Sequence, residues 1–314
     1  MEKGSNTMNK FDVAVIGAGP GGLTAAIYAQ RSGLNVVIIE NNVIGGQASL
    51  SYEINNYPGF NSISGTDLTM KMHEQATTLG AVTLYGDIKK IDFAPMNNFI
   101  VVEDKEIIAS TVILSMGAKA RTIGAEGEAE LIGRGICYCA ICDGASYKDK
   151  DVVVVGSGIS AIEDAEYLSN ICKNVTVLNN LPNFACSEED IKVLDNQIKN
   201  NKNIRVVYNT AVTEVKGKDH VTGVKFMLDG GEYSIDCDAL FVSVGRAPDT
   251  DMVRSSIHLD ENGYIATDEN LETNQAGVFA CGDVRVKQLR QIVTACADGA
   301  VAATNANKFI NKNK

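Results

Sequence analysis

The chain has 314 residues, 45% hydrophobic and 21% charged, with 29 glycines, 5 prolines and a formal net charge of −11. That length exceeds the roughly 100–200 residues of one domain, so two domains and a sizeable core are expected, and the ordinary composition excludes a disordered or fibrous chain. The acidic balance and the lack of a long basic run exclude wholesale nucleic-acid binding, because nothing supplies phosphate neutralisation.

At the N-terminus, MEKGSNTMNK lacks the apolar segment of a signal peptide, and the residues before Met8 carry no assigned role. The longest aliphatic runs, such as Val152 to Val155, are far too short to span a bilayer, so a cytoplasmic protein with no membrane partner is expected. Cysteine usage agrees: of the 8 cysteines only Cys139 and Cys142 stand at C-x-x-C spacing, unlike a small disulfide-stapled secreted domain.

The first strong pattern is FDVAVIGAGPGGLTAAIYAQRSGLNVVIIENN, from Phe11. It reads as an apolar strand, a glycine turn, a helix with apolar residues at helical spacing and a second strand, one βαβ half of a doubly wound sheet. Gly17, Gly19 and Gly22 form G-x-G-x-x-G directly after the strand, which permits a tight turn, close backbone approach to a pyrophosphate and close helix packing. The helix N-terminus then faces the phosphates. Glu40 closes the second strand, where a carboxylate can accept hydrogen bonds from ribose hydroxyls.

Next comes CAICDG, Cys139 to Gly144. Two thiols with two residues between them can close a disulfide without large backbone motion, and a thiolate of lowered pKa supplies the nucleophile. A zinc site would need two further ligands, and the other cysteines and the 3 histidines offer no matching pair, so no metal is expected. Two inert buried thiols would not need this spacing. Redox activity is therefore the favoured reading. Asp143 beside the pair can move the proton that thiol–disulfide exchange requires, although a solvated turn aspartate before Gly144 is an equally natural role.

A second copy of the first pattern follows. KDVVVVGSGISAIEDAEYLSNICKNVTVLNN, from Lys150, aligns without a gap with the stretch from Phe11, so the chain contains two nucleotide-binding units with parallel sheets. Gly156, Gly158 and Ala161 keep the turn, but Asn179 replaces Glu40, and Asn180, Leu181, Pro182, Asn183, Phe184 and Ala185 follow without a charge. An NAD enzyme would place Asp or Glu at that strand end, and an NADP enzyme would place Arg near the 2′-phosphate. Asn179 or Asn180 can still hydrogen-bond ribose hydroxyls as a neutral partner, a bond worth only about 1 kcal/mol net.

Together with GGQ at Gly45 to Gln47, INNYPG at Ile54 to Gly59, SMGA at Ser115 to Ala118, GRAPDT at Gly245 to Thr250, GVFACGDV at Gly277 to Val284 and RQIVTACADGAVAA from Arg290, these motifs resemble the low-molecular-weight thioredoxin reductases from Phe11 to about Ala306. The resemblance implies an α/β fold of two Rossmann-like three-layer domains, the second inserted in the first. Residues 1–117 and 248–314 would form an FAD-binding domain, and residues 118–247 an inserted NAD(P)-binding-like domain carrying the cysteine pair. By position, Gly17, Gly19, Gly22 and Glu40 would hold the adenosine end of FAD, Gln47 and Asn56 would lie near the flavin, and Asp283, Arg290 and Gln291 would close the site. Cys142 would take electrons from the flavin, Cys139 would attack the disulfide of thioredoxin, and Asp143 would give the proton. Rotation of the inserted domain about linkers near Ala118 to Arg121 and Val244 to Ala247, and a homodimer, are further implications.

One departure matters. Pyridine-nucleotide members of the family carry His-Arg-Arg and a later Arg where this chain has Asn179, Asn180, Leu181 and Ala185, so three guanidiniums that recognise phosphate are absent. The ferredoxin-dependent flavin thioredoxin reductases are similar in lacking nicotinamide recognition, which implies ferredoxin as electron donor. A ferredoxin near about −400 mV driving thioredoxin near about −270 mV releases roughly 6 kcal/mol per two electrons. Ferredoxins are usually acidic, so a local basic patch is expected, with Arg285, Lys287 and Arg290 or Lys148 and Lys150 as candidates. Three other readings stay open: an NADPH- or NADH-dependent reductase with atypical recognition, a second flavin cradled at Gly156 to Ala161, and a non-catalytic redox sensor.

Overall fold

A computed structural model describes residues 9–51, 53–187, 191–192 and 203–314. The first eight residues, to which the sequence assigns no role, lie outside the described residues. The chain divides into two compact units, Met1–Lys119 with Ala247–Lys314, and Ala120–Arg246.

In chain order the first unit begins with β1 (Asn9–Ile16), α1 (Pro20–Arg31), β2 (Val36–Glu40), α2 (Gly65–Thr78), β3 (Val82–Tyr85), β4 (Ile88–Asp92), β5 (Asn98–Val102) and β6 (Lys105–Leu114), and leaves through β7 (Ala118–Ala120). The second unit holds β8 (Ile136–Cys137), α3 (Ala140–Asp143), β9 (Asp151–Val155), α4 (Ile159–Ser169), β10 (Asn174–Leu178), β11 (Ile204–Val207), β12 (Thr210–Gly217), β13 (Val221–Leu228), β14 (Gly231–Asp236) and β15 (Ala239–Val242). The chain returns through β16 (Arg246–Pro248), which pairs with β7, and ends with β17 (Val278–Ala280) and α5 (Ile292–Asn313).

The main sheet of the first unit runs β3-β2-β1-β6-β5-β4, with β17 also on β6. Strands β3, β2, β1, β6 and β17 are mutually parallel, while β5 and β4 add an antiparallel extension. Alternation along β1 sorts the core: Val13 and Val15 pack on the side of α1 with Leu23 and Ala26, whereas Ala14 and Ile16 join Ile100, Val102 and Ile257 on the other face. Helices α1 and α5 approach so closely that a Cβ on Gly299 would lie 2.2 Å from the Gly21 carbonyl oxygen.

The second unit repeats the plan. Its parallel sheet runs β11-β10-β9-β15-β8. Val152 and Val154 face Ile162, Ala165 and Leu168 of α4, and Val153 and Val155 face Val215, Val224 and Phe226 of the antiparallel sheet β12-β13-β14. The second unit is thus a helix layer, a parallel sheet and an antiparallel sheet, and in the first the antiparallel strands continue the parallel sheet itself, both within the α/β Rossmann-like class expected. Each fully buried Val contributes about 1.5–3 kcal/mol over its exposed state. Among the described residues no helix is long and apolar enough to cross a membrane.

Candidate active site

In the second unit the buried strand β8 delivers the chain to Cys139, the extended residue that caps the single turn of α3. Cys139 and Cys142 are joined as a disulfide, with Cα atoms 5.3 Å apart. The Cys142 N–H donates to Cys139 Sγ at 3.2 Å, and the Asp143 N–H to the Cys139 carbonyl at 3.1 Å. When the pair is reduced, the first of these becomes a charge-assisted bond to a thiolate, which favours ionisation of Cys139.

Asp143 is largely buried. Burial pushes its carboxyl up to about 6, and the nearby Arg246 guanidinium limits the rise. A group titrating there can both give and take a proton near neutral pH. Arg246 donates from Nη2 to the Tyr138 carbonyl at 2.9 Å, and the Tyr138 hydroxyl donates to Glu128 at 3.0 Å. Glu128 in turn accepts the N–H groups of Ile123 and Gly124, so the approach to Cys139 is braced on both sides. A third cysteine, Cys137, is buried, which drives its thiol far up and leaves it inert; it donates to Tyr147 Oη at 3.8 Å. Asp164 is also pushed up by burial and accepts a hydrogen bond from Ser243 Oγ.

The second glycine turn keeps its shape. A Cβ on Gly156 would lie 2.4 Å from the Ser243 carbonyl oxygen, while one on Gly158 would meet nothing within 4 Å. Behind it the strand-end loop is firmly built: Phe184 is buried and meets the Tyr208 ring edge-on at 5.8 Å, and the Ala185 N–H donates to the Ser157 carbonyl at 2.7 Å. Asn179 is fully buried. Its Oδ1 accepts the Leu181 N–H at 2.8 Å, and its Nδ2 has no hydrogen-bond partner among the described residues. No residue from Asn179 to Ser187 is charged. This stretch therefore offers a phosphate no cation.

In the first unit the glycine turn fits a dinucleotide. Gly17 lies at φ +100°, and a Cβ there would lie 2.4 Å from the Ser115 carbonyl oxygen. A Cβ on Gly22 would lie 2.0 Å from the Gly17 carbonyl oxygen, but one on Gly19 meets nothing within 4 Å, which leaves an open cradle before α1. Glu40 locks this turn by accepting the N–H groups of Ala18 and Asn42, each at 2.8 Å, and its two oxygens retain further lone pairs for hydroxyl donors.

The remaining predicted cofactor residues belong to this unit too. Asn56 Nδ2 donates to Gln291 Oε1 at 3.2 Å across 235 residues of sequence. Gln291 caps α5 in a reciprocal arrangement with Thr294, and Arg290 lies over the Tyr264 ring at 4.0 Å while donating to the Asp283 carbonyl at 3.3 Å. Gln47 is exposed on the short 3-10 turn Gly46–Leu50. Asp283, in the turn Gly282–Val284, completes the set. An open glycine cradle and a carboxylate at the next strand end lie together in this unit, an arrangement that fits a dinucleotide.

One of the two expected basic patches is corrected here. Arg285 and Lys287 do not reach outward but pair with Asp298, at 2.9 and 2.7 Å, with side chains only 19% and 8% exposed. Arg290 is held by Tyr264, while Lys148 and Lys150 stay exposed at the surface, Lys150 pairing with Asp238 at 3.5 Å. Sequence reasoning missed Asp298, because nothing in its spacing marks it as the shared acceptor of two cations.

Residues 11–299 match the model of the pyridine nucleotide-disulphide oxidoreductase family. The chain is 41% identical over 307 residues to a thioredoxin reductase of Listeria innocua, covering 97% of this chain and 95% of the relative. Among solved structures it is similar to the thioredoxin reductase of Streptococcus pyogenes, at 38% identity and a TM-score of 0.91, covering 98% and 100% of the two chains. It is also similar to a ferredoxin-flavin thioredoxin reductase from Clostridium acetobutylicum, at 28% identity and a TM-score of 0.52, covering 97% and 99%.

Proposed function

Because the chain belongs to the pyridine nucleotide-disulphide oxidoreductase family, as an FAD-containing disulfide oxidoreductase of the thioredoxin reductase type, we propose that it draws its electrons from reduced ferredoxin rather than NADPH and passes them through Cys142 and Cys139 to thioredoxin. The observation that carries the choice of donor is the uncharged strand end, Asn179 to Ser187, which lacks the guanidiniums that a 2′-phosphate requires. Similarity to the Clostridium acetobutylicum chain adds support.

In this reading residues 1–117 and 248–314 form the FAD domain and residues 118–247 the redox domain. Gly17, Gly19, Gly22 and Glu40 hold the adenosine end of the cofactor, and Gln47, Asn56, Asp283, Arg290 and Gln291 hold the rest. FAD supplies the chemistry that joins a one-electron donor to a two-electron disulfide. The thiolate of Cys139 attacks one sulfur of the thioredoxin disulfide, forming a mixed disulfide and releasing the other sulfur as a thiolate. Cys142 then attacks Cys139 Sγ, which restores the Cys139–Cys142 disulfide and releases the second thioredoxin sulfur. Asp143 delivers a proton to a leaving sulfur, and two electrons and two protons pass to thioredoxin in all. The enzyme acts as a homodimer, as the family resemblance implies.

A second reading, a nicotinamide enzyme with neutral recognition, rests on the intact Gly156–Gly158 turn and the unpaired Asn179 Nδ2. A turnover assay separates the two. With thioredoxin in excess, reduced ferredoxin should support many cycles per chain, and NADPH or NADH at micromolar concentration should support none; steady nicotinamide oxidation would establish the second reading. Flavin content per chain, expected at one, tests for a second flavin at Gly156 to Ala161.

A further inference from the structure

Asp298, in the second turn of α5, gathers a cluster that the proposed electron path does not use. Its carboxylate, 12% exposed, accepts the Gly282 N–H at 3.1 Å, Arg285 Nε at 2.9 Å and Nη2 at 3.3 Å, and Lys287 Nζ at 2.7 Å. Burial alone would raise its carboxyl, but the hydrogen bonds and charges of Arg285 and Lys287 outweigh burial and hold it below the usual range, so it stays ionised. All three donor residues lie within the segment 282–287, and Asp283 sits inside the same segment.

Arg290 also holds the segment's backbone, donating from Nε to the Asp283 carbonyl at 3.3 Å and from Nη2 to the Arg285 carbonyl at 3.4 Å, whereas Asp298 holds it through the Gly282 N–H and two of the segment's side chains. Gly282 takes φ +77°, yet a Cβ there would meet only Ala295 Cβ at 3.6 Å and Ser115 Oγ at 3.9 Å, so close packing does not dictate its conformation. On the far side β-type bonds hold it: the Ile265 N–H donates to the Val284 carbonyl and the Val286 N–H to the Ile265 carbonyl, each at 2.9 Å. The segment also adjoins the dinucleotide turn. A Cβ on Gly21, at the start of α1, would lie 3.1 Å from the same Ser115 Oγ and 3.4 Å from Cys281 Sγ.

We propose that Asp298 is a positioning residue for the cofactor: from the body of α5 it fixes the turn Gly282–Val284, and with it Asp283, against the glycine cradle. The two cations serve as its counter-ions rather than as a surface patch. This rests on the assignment of the Gly17–Gly22 and Asp283 region to FAD.

The test uses full-length holoprotein and two variants, Asp298→Ala and Asp298→Ala with Lys287→Met. The FAD dissociation constant is read from flavin fluorescence on dilution, and the unfolding midpoint is read at saturating FAD. Asp298→Ala leaves two largely buried cations without their anion and the Gly282 N–H without its acceptor. It should raise the FAD dissociation constant at least tenfold and lower the midpoint. Removing Lys287 as well should recover much of the midpoint while the dissociation constant stays raised. A dissociation constant within twofold of wild type in Asp298→Ala, or one that recovers together with the midpoint in the double variant, would overturn the proposal, the second outcome because it makes the cluster merely structural. If Asp298→Ala fails to fold, the double variant carries the test alone. Asp283→Asn keeps the two readings apart: an unchanged FAD affinity there sinks the assignment of that side chain and leaves the role of the turn standing.

Discussion

Asp143 is the side chain whose surroundings most directly set the pH behaviour of the chemistry. Burial raises its carboxyl to about 6, so it is mostly protonated below that pH and mostly ionised above it. As the proton donor to a leaving sulfur, it should give a thioredoxin reduction rate that falls as pH rises through about 6. Asp143→Asn should remove that limb and slow turnover at neutral pH by about 10²-fold or more, the usual worth of a positioned acid. Steady-state rates between pH 5 and 9 check this, and an unchanged limb in the variant would return Asp143 to the role of a turn residue. The stability linkage has the same sign. A raised carboxyl contributes stability that is full below its unfolded value near 4 and lost as pH rises through about 6, so Asp143→Asn should be at least as stable as wild type at pH 8.

The glycine turns and the loops that follow the second strands are where an element decides a ligand. In the first turn the glycines divide into two kinds. Gly22→Ala sets a methyl 2.0 Å from a backbone oxygen and should destabilise the protein by about 1–3 kcal/mol or more, seen as a lower unfolding midpoint with or without added FAD. Gly19→Ala meets no protein atom within 4 Å and should leave the midpoint without cofactor nearly unchanged while weakening FAD binding. In the second unit the exposed positions Asn180, Leu181 and Ala185 can take long cations without burying them. Replacing all three by Arg should create NADPH oxidation, at least about tenfold above background in kcat/KM, since a charged hydrogen bond adds roughly 1.5–3 kcal/mol. No gain would mean that the loop backbone, not its missing charge, excludes the nucleotide. Both turns were legible in the sequence because glycine, strand and helix act over about 25 residues. The antiparallel layers were not: β12 to β14 carry no signature residue, and their pairing is set by contacts with Val153 and Val155 that no local pattern announces.

At the scale of the whole molecule, charge placement constrains the partner. The chain carries −11, and of its expected basic positions Arg285 and Lys287 are turned inward, neutralising Asp298, whereas Lys148 and Lys150 are exposed. Sequence could supply the cations but not their direction, because Asp298 lies 11 and 13 residues from them, on another element. By net charge an acidic ferredoxin meets repulsion, which salt screens. Raising ionic strength from about 20 to 200 mM should leave the ferredoxin KM unchanged or lower it, and a steep rise would point to local attraction at Lys148 and Lys150. The cysteine pair is the part of the site most legible in sequence, since its geometry is local, whereas the meeting of Asn56 with Gln291 spans 235 residues and needs the fold. Residue, element and whole-molecule charge all bear on one property, the identity of the electron donor. The most direct measurement is anaerobic stopped-flow absorbance of the oxidised holoprotein mixed separately with reduced ferredoxin, NADPH and NADH. Rapid bleaching of the flavin by ferredoxin alone is the predicted result; bleaching by either nicotinamide within milliseconds would contradict it.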